Sequence, residues 1–329
     1  MFAEAAESAD VVARQLDANS AIVRDLAGRL RANPPRGVVT YARGSSDHAA
    51  TFAKYVFETR ARTLTTSAAP SIASVYGGAP DVSGILALAI SQSGRSPDIL
   101  AGLSAAKSQG ALTVALVNAE DSPLADLCDI IVPLRAGPEQ SVAATKSYVA
   151  ALSAILHLVA EWSGDRSLGE ALKAAPELLR EAWRCEWSAL VECLARARSL
   201  FVIGRGPGFG IAQEAALKFK ETCALHAEAF SAAELRHGPM ALVGPRFPVL
   251  LFRQDDETAA GIDDLASDLR KRGALVFVAG RDLPAPSAHP LIEPMLQIEA
   301  LYRVANAVSL ARGLDPDRPP YLSKVTETL

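Results

Sequence analysis

The sequence predicts an α/β fold built from two parallel sheets, each doubly wound with helices on both faces. Three observations predict it. Runs of strand length alternate with helical patterns, the runs are continuously apolar, and the second half of the chain repeats the first. Continuous apolar runs belong to strands buried on both faces, and crossover helices supply that cover.

In the first half, Val38-Val39-Thr40-Tyr41-Ala42 and residues 85–90, 113–117 and 130–134 read as strands. Helical patterns fill 47–60 and 97–109. Pro97 suits a first helical position, and Gly110 stands where a helix stops. After residue 200 the rhythm returns, with strands at 199–203, 249–252 and 275–278. Helices follow from about 211 and over about 258–272.

The halves align. KSQGALTVALVN (107–118) matches LRKRGALVFVAG (269–280), and VTYARGS (39–45) matches VIGRGPG (202–208). Gly110 falls on Gly273, Gly44 on Gly206 and Glu58 on Glu221, at offsets of 163, 162 and 163. A near-constant offset across three segments marks a duplicated domain. The expected organisation is a helical segment over 1–36, a first domain over 37–165, a second over 190–312 and a tail over 313–329. The leading segment ends at the turn signal Asn33-Pro34-Pro35 and is too short and acidic for a helix-turn-helix reader.

Composition agrees with this plan. At ~150 residues per domain, 329 residues suit about two domains. A hydrophobic fraction of 50% excludes a largely disordered chain. Thirty-three Lys+Arg against 37 Asp+Glu leave no basic surface for wrapping nucleic acid. Cys128, Cys185, Cys193 and Cys223 form no CxxC pair and no metal-ligand spacing, and read as reduced core thiols. The N-terminus is acidic where a secretory signal is basic, and the apolar stretch 142–162 is interrupted by Lys146 and His157. A soluble, cytoplasmic chain without a metal or other cofactor is expected.

Ligands of open parallel sheets bind beyond the carboxyl ends of strands. The strand at 85–90 runs into Ser91-Gln92-Ser93-Gly94-Arg95-Ser96-Pro97 and then a helix. Three hydroxyls, an amide, a glycine and a helix N-terminus make a cradle for an anion such as phosphate. No GxxxxGK[ST] is present, so this is not a nucleotide P-loop. An ordinary capped turn uses the same residue types, and that reading stays open. The matching loop of the second half, Gln254-Asp255-Asp256-Glu257-Thr258, carries carboxylates that repel phosphate. One small phosphorylated ligand per chain is expected.

Candidates for chemistry lie in the second half. Glu214, Lys218 and Glu221 share one helix face at i, i+4 and i+7. They form either an exposed ion pair with a further surface Glu or a polar set within the apolar sequence that flanks them. Glu234-Leu235-Arg236-His237-Gly238-Pro239 ends a short helix on a histidine, either an acid–base group near neutral pH or a structural one. His48, His157, His226 and His289 read as structural. Prolines in Leu314-Asp315-Pro316-Asp317-Arg318-Pro319-Pro320 stiffen the tail against the body. Lys324 beyond them is either a tether or an amine presented to a carbonyl.

Four segments together resemble the sugar-isomerase (SIS) domain family over nearly the whole chain. They are SQSGRS (91–96), SVAATKSY (141–148), ALKFKETCALHAEAFSAAELRHGPMAL (216–242) and DPDRPPYLSKVTETL (315–329). The set is similar to the isomerase part of glutamine–fructose-6-phosphate amidotransferases. ARGSSDHAATFAKYVFET (42–59) and SVAATKSY look more like the type II glucosamine-6-phosphate deaminases.

The resemblance implies two tandem SIS domains and a role for each matching residue. Ser91, Gln92, Ser93 and Ser96 match the phosphate loop, and Ser45 matches a further phosphate contact beside Gly44. Ser96 stands where the amidotransferases carry Thr. Val142 and Ala144 match pocket-lining residues, and Glu214 and Lys218 match polar residues beside the base. Glu221 matches the carboxylate that moves a proton between C1 and C2. His237 matches the ring-opening histidine, which in the family serves a neighbouring subunit, and Lys324 matches a Schiff-base lysine.

A homodimer with shared sites and a hexosamine 6-phosphate substrate are implied, with no metal or cofactor. The amidotransferases start on a glutaminase domain with a catalytic cysteine, whereas here Met1-Phe2 and about 36 residues precede the first strand. The expected activity is therefore glucosamine-6-phosphate deamination to fructose 6-phosphate and ammonia. Alternatives are a deaminase or isomerase of another amino-sugar phosphate, such as galactosamine 6-phosphate, and a non-catalytic sugar-phosphate-binding regulator.

Overall fold

In the computed structural model, which describes residues 1–324, the chain divides into two compact units. The N-terminal unit holds Asp10–Glu139 and Ala150–Lys173, with Ser323 and Lys324 of the tail. The C-terminal unit holds Met1–Ala9, Gln140–Val149 and Ala174–Leu322.

Helices α1 (Phe2–Ala6) and α2 (Ser8–Ala32) come first. The first sheet is laid down by β1 (Val38–Tyr41), α3 (Ser45–Val56), β2 (Thr65–Ser67), α4 (Ser71–Ser74), β3 (Leu86–Ser91), α5 (Pro97–Ser108), β4 (Leu112–Val117), α6 (Pro123–Leu127) and β5 (Ile130–Pro133). Its strands are all parallel in the order β2-β1-β3-β4-β5. Helices α7 (Lys146–Ser163), α8 (Arg166–Arg184) and α9 (Ser188–Leu194) follow. The second sheet comes from β6 (Ser199–Gly204), α10 (Gly208–Cys223), β7 (His226–Ser231), α11 (Ala232–Leu235), β8 (Pro248–Phe252), α12 (Ala259–Lys271) and β9 (Leu275–Ala279), before α13 (Glu293–Ala311). Its parallel order is β7-β6-β8-β9.

Both sheets carry the predicted α/β logic. Every residue of β3 and of β8 is buried, as continuous apolar strands require. The duplication is visible in the helix ends. Gly110 after α5 and Gly273 after α12 have φ of 81° and 82°. In each repeat the following N–H closes onto the helix, Ala111 to Ala106 O (3.1 Å) and Ala274 to Leu269 O (3.2 Å). A left-handed residue there satisfies the last carbonyls, and glycine adopts it without a Cβ clash.

The direction in which successive parallel strands are added reverses between β1 and β3 in one sheet and between β6 and β8 in the other. Such switch points open a crevice at the carboxyl ends of the two strands. The loop after β1 carries Gly44 and Ser45, and the loop after β3 carries Ser91 to Ser96, so both flank the first crevice.

Some elements differ from the sequence reading. The helix expected over 47–60 starts at Ser45 and ends at Val56, and Phe57–Ala61 continues it as a π-helical turn. Edge strands β2 and β7 escape the apolar-run criterion. The first is Thr-Thr-Ser, paired through its backbone to Val38–Thr40, and the second is largely half-exposed. Of the four cysteines only Cys223 is a core thiol, and the other three are half-buried. No helix among the described residues is long and apolar enough to cross a membrane.

Candidate active site

The loop after β3, the expected anion cradle, is shaped by its own hydrogen bonds. Ser91 Oγ accepts from Gly94 N (3.0 Å), and Ser93 Oγ accepts from Arg95 N (3.4 Å). A hydroxyl that accepts from backbone keeps its proton for an incoming acceptor. Ser96 is the N-cap of α5 and makes no side-chain cap bond. Ser45, Gln92, Ser93 and Ser96 are half-buried and Gly44 is exposed. Gly94 has φ 63°, and a Cβ there would lie 2.1 Å from Ser122 Oγ. Only glycine fits, because the loop folds directly onto Ser122.

One acidic residue stands in the first turn of α5. Asp98 is buried, and Arg43 neutralises it through Nη2 (2.6 Å) and Nε (2.8 Å). Its charge is thereby cancelled at the helix end that attracts anions. In the C-terminal unit the equivalent crevice is occupied by the chain itself. Gln254 Nε2 donates to Arg205 O (2.8 Å), and a Cβ on Gly208 would lie 2.5 Å from Gln254 Oε1. Asp256 accepts from Thr258 N (2.8 Å) and Oγ1 (2.6 Å).

Helix α10 places Glu214 and Lys218 inside the protein. Glu214 and Lys218 have fully buried side chains, and Glu221 is 20% exposed. Lys218 Nζ lies 3.3 Å from Glu214 Oε1 and 2.6 Å from Glu221 Oε2. The exposed-pair reading fails here, because solvated pairs are not sealed in this way. Burial alone would push the Lys218 ammonium down. The two carboxylates outweigh it and raise its pKa, so Lys218 stays charged. Tyr148 is buried on the same unit, and its hydroxyl donates to Gly210 O of α10 (3.2 Å). Burial, then the Glu214 charge, raises its pKa well above the ordinary phenol. A carboxylate with solvent access beside a fixed cation is equipped to take and return a proton.

His237 lies two residues beyond α11, exposed, with its N–H on Glu234 O (2.9 Å). Among the described residues its ring has no hydrogen-bond partner. Val142 and Ala144 are half-buried in the segment before α7, and Val142 N donates to Asp317 O (3.4 Å). Lys324, in the N-terminal unit, pairs with the buried Glu139 at 3.2 Å.

Against known families, the SIS domain profile matches residues 34–160 and 193–279. The chain belongs to the SIS domain family. Its two units are the tandem SIS repeats, and the cradle and α10 described above are parts of them. The glutamine–fructose-6-phosphate aminotransferase (isomerizing) of Thermus thermophilus is 34% identical over 307 residues, covering 85% of this chain and 50% of that protein. The chain thus spans about half the length of the curated relatives it matches. A proposed phosphosugar isomerase from Silicibacter pomeroyi is 42% identical with a TM-score of 0.92, covering 96% of this chain and 99% of that one. The glucosamine-6-phosphate deaminase of Thermotoga maritima, at 23% identity and a TM-score of 0.78 over 98% of this chain and all of that one, shares the fold.

Sequence reasoning missed Arg43, Asp98, Glu139 and Tyr148. Tyr148 stood inside SVAATKSY and Glu139 two residues before it, and only the fold gives either a partner. Arg43 and Asp98 are 55 positions apart and meet because β1 and β3 are neighbours.

Proposed function

We propose that this SIS protein is an amino-sugar-phosphate deaminase acting on glucosamine 6-phosphate. One observation carries the reading. Lys218 is buried between two carboxylates of which only Glu221 meets solvent, as a general base that shuttles protons requires. The cradle of Ser91, Gln92, Ser93 and Ser96, with Ser45, binds the 6-phosphate. His237 moves the proton that opens the pyranose, and its exposure supports service to a neighbouring subunit of a homodimer. Glu221 removes the C2 proton of the open aminoaldehyde and returns it to C1. The C2 imine so formed takes up water and leaves as fructose 6-phosphate and ammonia. Lys324 holds the keto product, as a charge or as an imine. Val142, Ala144, Glu214 and Lys218 shape and polarise the surroundings of the base.

The 42% identity to a proposed phosphosugar isomerase favours a second reading, aldose–ketose isomerisation without loss of nitrogen. Incubation with glucosamine, galactosamine and fructosamine 6-phosphates, with ammonia and ketose followed together, separates the two. Ammonia in step with fructose 6-phosphate supports deamination. Ketose without ammonia supports the second reading, and neither product from any substrate overturns both.

A further inference from the structure

The N-terminal unit contains a cavity of about 290 Å³ that the proposed reaction does not use. It lies on one face of the sheet, between β1, β2 and α5, with Pro70, Ile72 and Ala73 as its outer wall. Its lining is mostly apolar, with the phenol of Tyr41 as a polar group. Tyr41 is 7% exposed as a residue, and its hydroxyl is not among the sealed, unpaired polar atoms of the described residues. Burial raises the pKa of that phenol, so it is neutral near pH 7.

In the duplicated unit the equivalent space is filled by side chains. Val39, Ala68, Gly102 and Ala106 correspond through the repeat to Phe201, Phe230, Leu265 and Leu269. Those four pack into one apolar cluster, with the Phe201 and Phe230 rings 5.0 Å apart. The first unit has smaller residues at all four positions; the Tyr41 ring covers Gly102, 2.9 Å from where a Cβ would stand, and the cavity remains beside Val39, Ala68 and Ala106. Phe247 adds a further ring against Phe201 at 4.8 Å, where the first unit has Ile85. Replacing packed side chains by small ones loses contacts unless something else fills the space. A mostly apolar cavity with a few polar groups, here the hydroxyl-bearing Tyr41, Thr66 and Ser67, is the usual form of a small-molecule site.

We infer that this cavity binds a neutral ring compound of about two fused rings, which hydrogen-bonds the Tyr41 hydroxyl and acts as an effector. The route to the cradle is short. Gly102, Ala105 and Ala106 of α5 line the cavity, and the first turn of that helix closes the phosphate loop at Ser96. Tyr41 ends β1, two residues before the Arg43 that holds Asp98. A ligand wedged against α5 therefore biases the loop, and phosphate-ester binding must bias the cavity equally. Binding in the cavity is independent of the proposed reaction; only the effector role rests on that reading.

Calorimetric titration of the full chain with indole, whose N–H donates to a phenol oxygen, and isoquinoline, whose nitrogen accepts, tests the site. One saturable site is expected for at least one probe. Ala68→Phe, which restores the residue of the repeat, should weaken binding more than about 10-fold while the protein stays folded. Val39→Phe serves the same purpose if that variant fails to fold. Tyr41→Phe should weaken binding about 2- to 10-fold, the range of one hydrogen bond. Saturating probe should shift the Kd for glucose 6-phosphate at least about 3-fold, and Ala68→Phe should abolish the shift. No saturable binding of either probe, or unchanged binding in the filled variants, overturns the site. Probe binding with an unshifted glucose 6-phosphate Kd overturns the effector role. If glucose 6-phosphate does not bind at all, the proposed function fails while the indole and isoquinoline result stands on its own.

Discussion

Lys218→Met removes a cation that pairs with both carboxylates of α10. Glu214 is then left fully buried, having lost the ammonium 3.3 Å away, and Glu221 loses a contact of 2.6 Å. At an effective dielectric constant of about 20, attraction across 3.3 Å is worth about 5 kcal/mol before desolvation is counted. Breaking a buried pair by deleting one partner costs about 3–5 kcal/mol, because the remaining charge is uncompensated. Urea and thermal unfolding of Lys218→Met at pH 7 should show that loss, roughly 10 °C in Tm for a unit of this size. Adding Glu214→Gln should restore at least half of it, since the buried side chain that faced Lys218 then carries no charge. A loss below about 1 kcal/mol, the scale of solvated ion pairs, would refute the reasoning, as would a double variant no more stable than Lys218→Met.

Other consequences follow from single contacts. Gly94→Ala must clash with Ser122 and leave the left-handed region, so stability should fall by about 2 kcal/mol and glucose 6-phosphate should no longer protect against heat. Glu299 on α13 is fully buried, and burial raises its pKa to about 8 despite a hydrogen bond to Ser8. The native state then keeps a proton that the unfolded state releases above about pH 4.5, so this group's contribution falls as pH rises towards 8. Glu299→Gln should gain on the parent by about 1 kcal/mol per pH unit across that window, read by urea unfolding at pH 5, 6, 7 and 8; a constant difference contradicts it. Lys324→Arg keeps a cation for Glu139, and because deamination hydrolyses the imine of the substrate's own nitrogen it should retain most turnover, whereas Lys324→Met should lose it. Mixing His237→Ala with Glu221→Gln chains should recover about a quarter of parental activity if the histidine serves a neighbouring subunit, and none if it serves its own.

Much of the architecture was legible because it rests on local patterns. The apolar runs that became β3, β4 and β8 are buried along nearly their whole length, and Gly110 and Gly273 announced the same helix end twice. The hydroxyl-rich loop after β3 was legible for the same reason, as strand, loop and helix N-terminus are adjacent in sequence. Burial was not legible. The spacing of Glu214, Lys218 and Glu221 suits a solvated face as well as a sealed one, and packing decides between them. Contacts across long separations were also hidden. Lys324 and Glu139 are 185 positions apart, and Arg43 reaches Asp98 only because strand order places β1 beside β3. The cavity by Tyr41 arises from absent side chains, so no motif marks it. It emerges when Val39, Ala68 and Ala106 are set against their bulky counterparts.

The central claim is that Glu221 moves the proton of a phosphorylated amino sugar held by the cradle after β3. Ammonia release from glucosamine 6-phosphate by the parent and by Glu221→Gln, alongside calorimetric binding of the same sugar phosphate to each, tests it most directly. The account predicts release with the parent, at least about a hundredfold slower release with the variant, and binding within a few fold of the parent. Substantial release by Glu221→Gln, or loss of binding together with turnover, would contradict it.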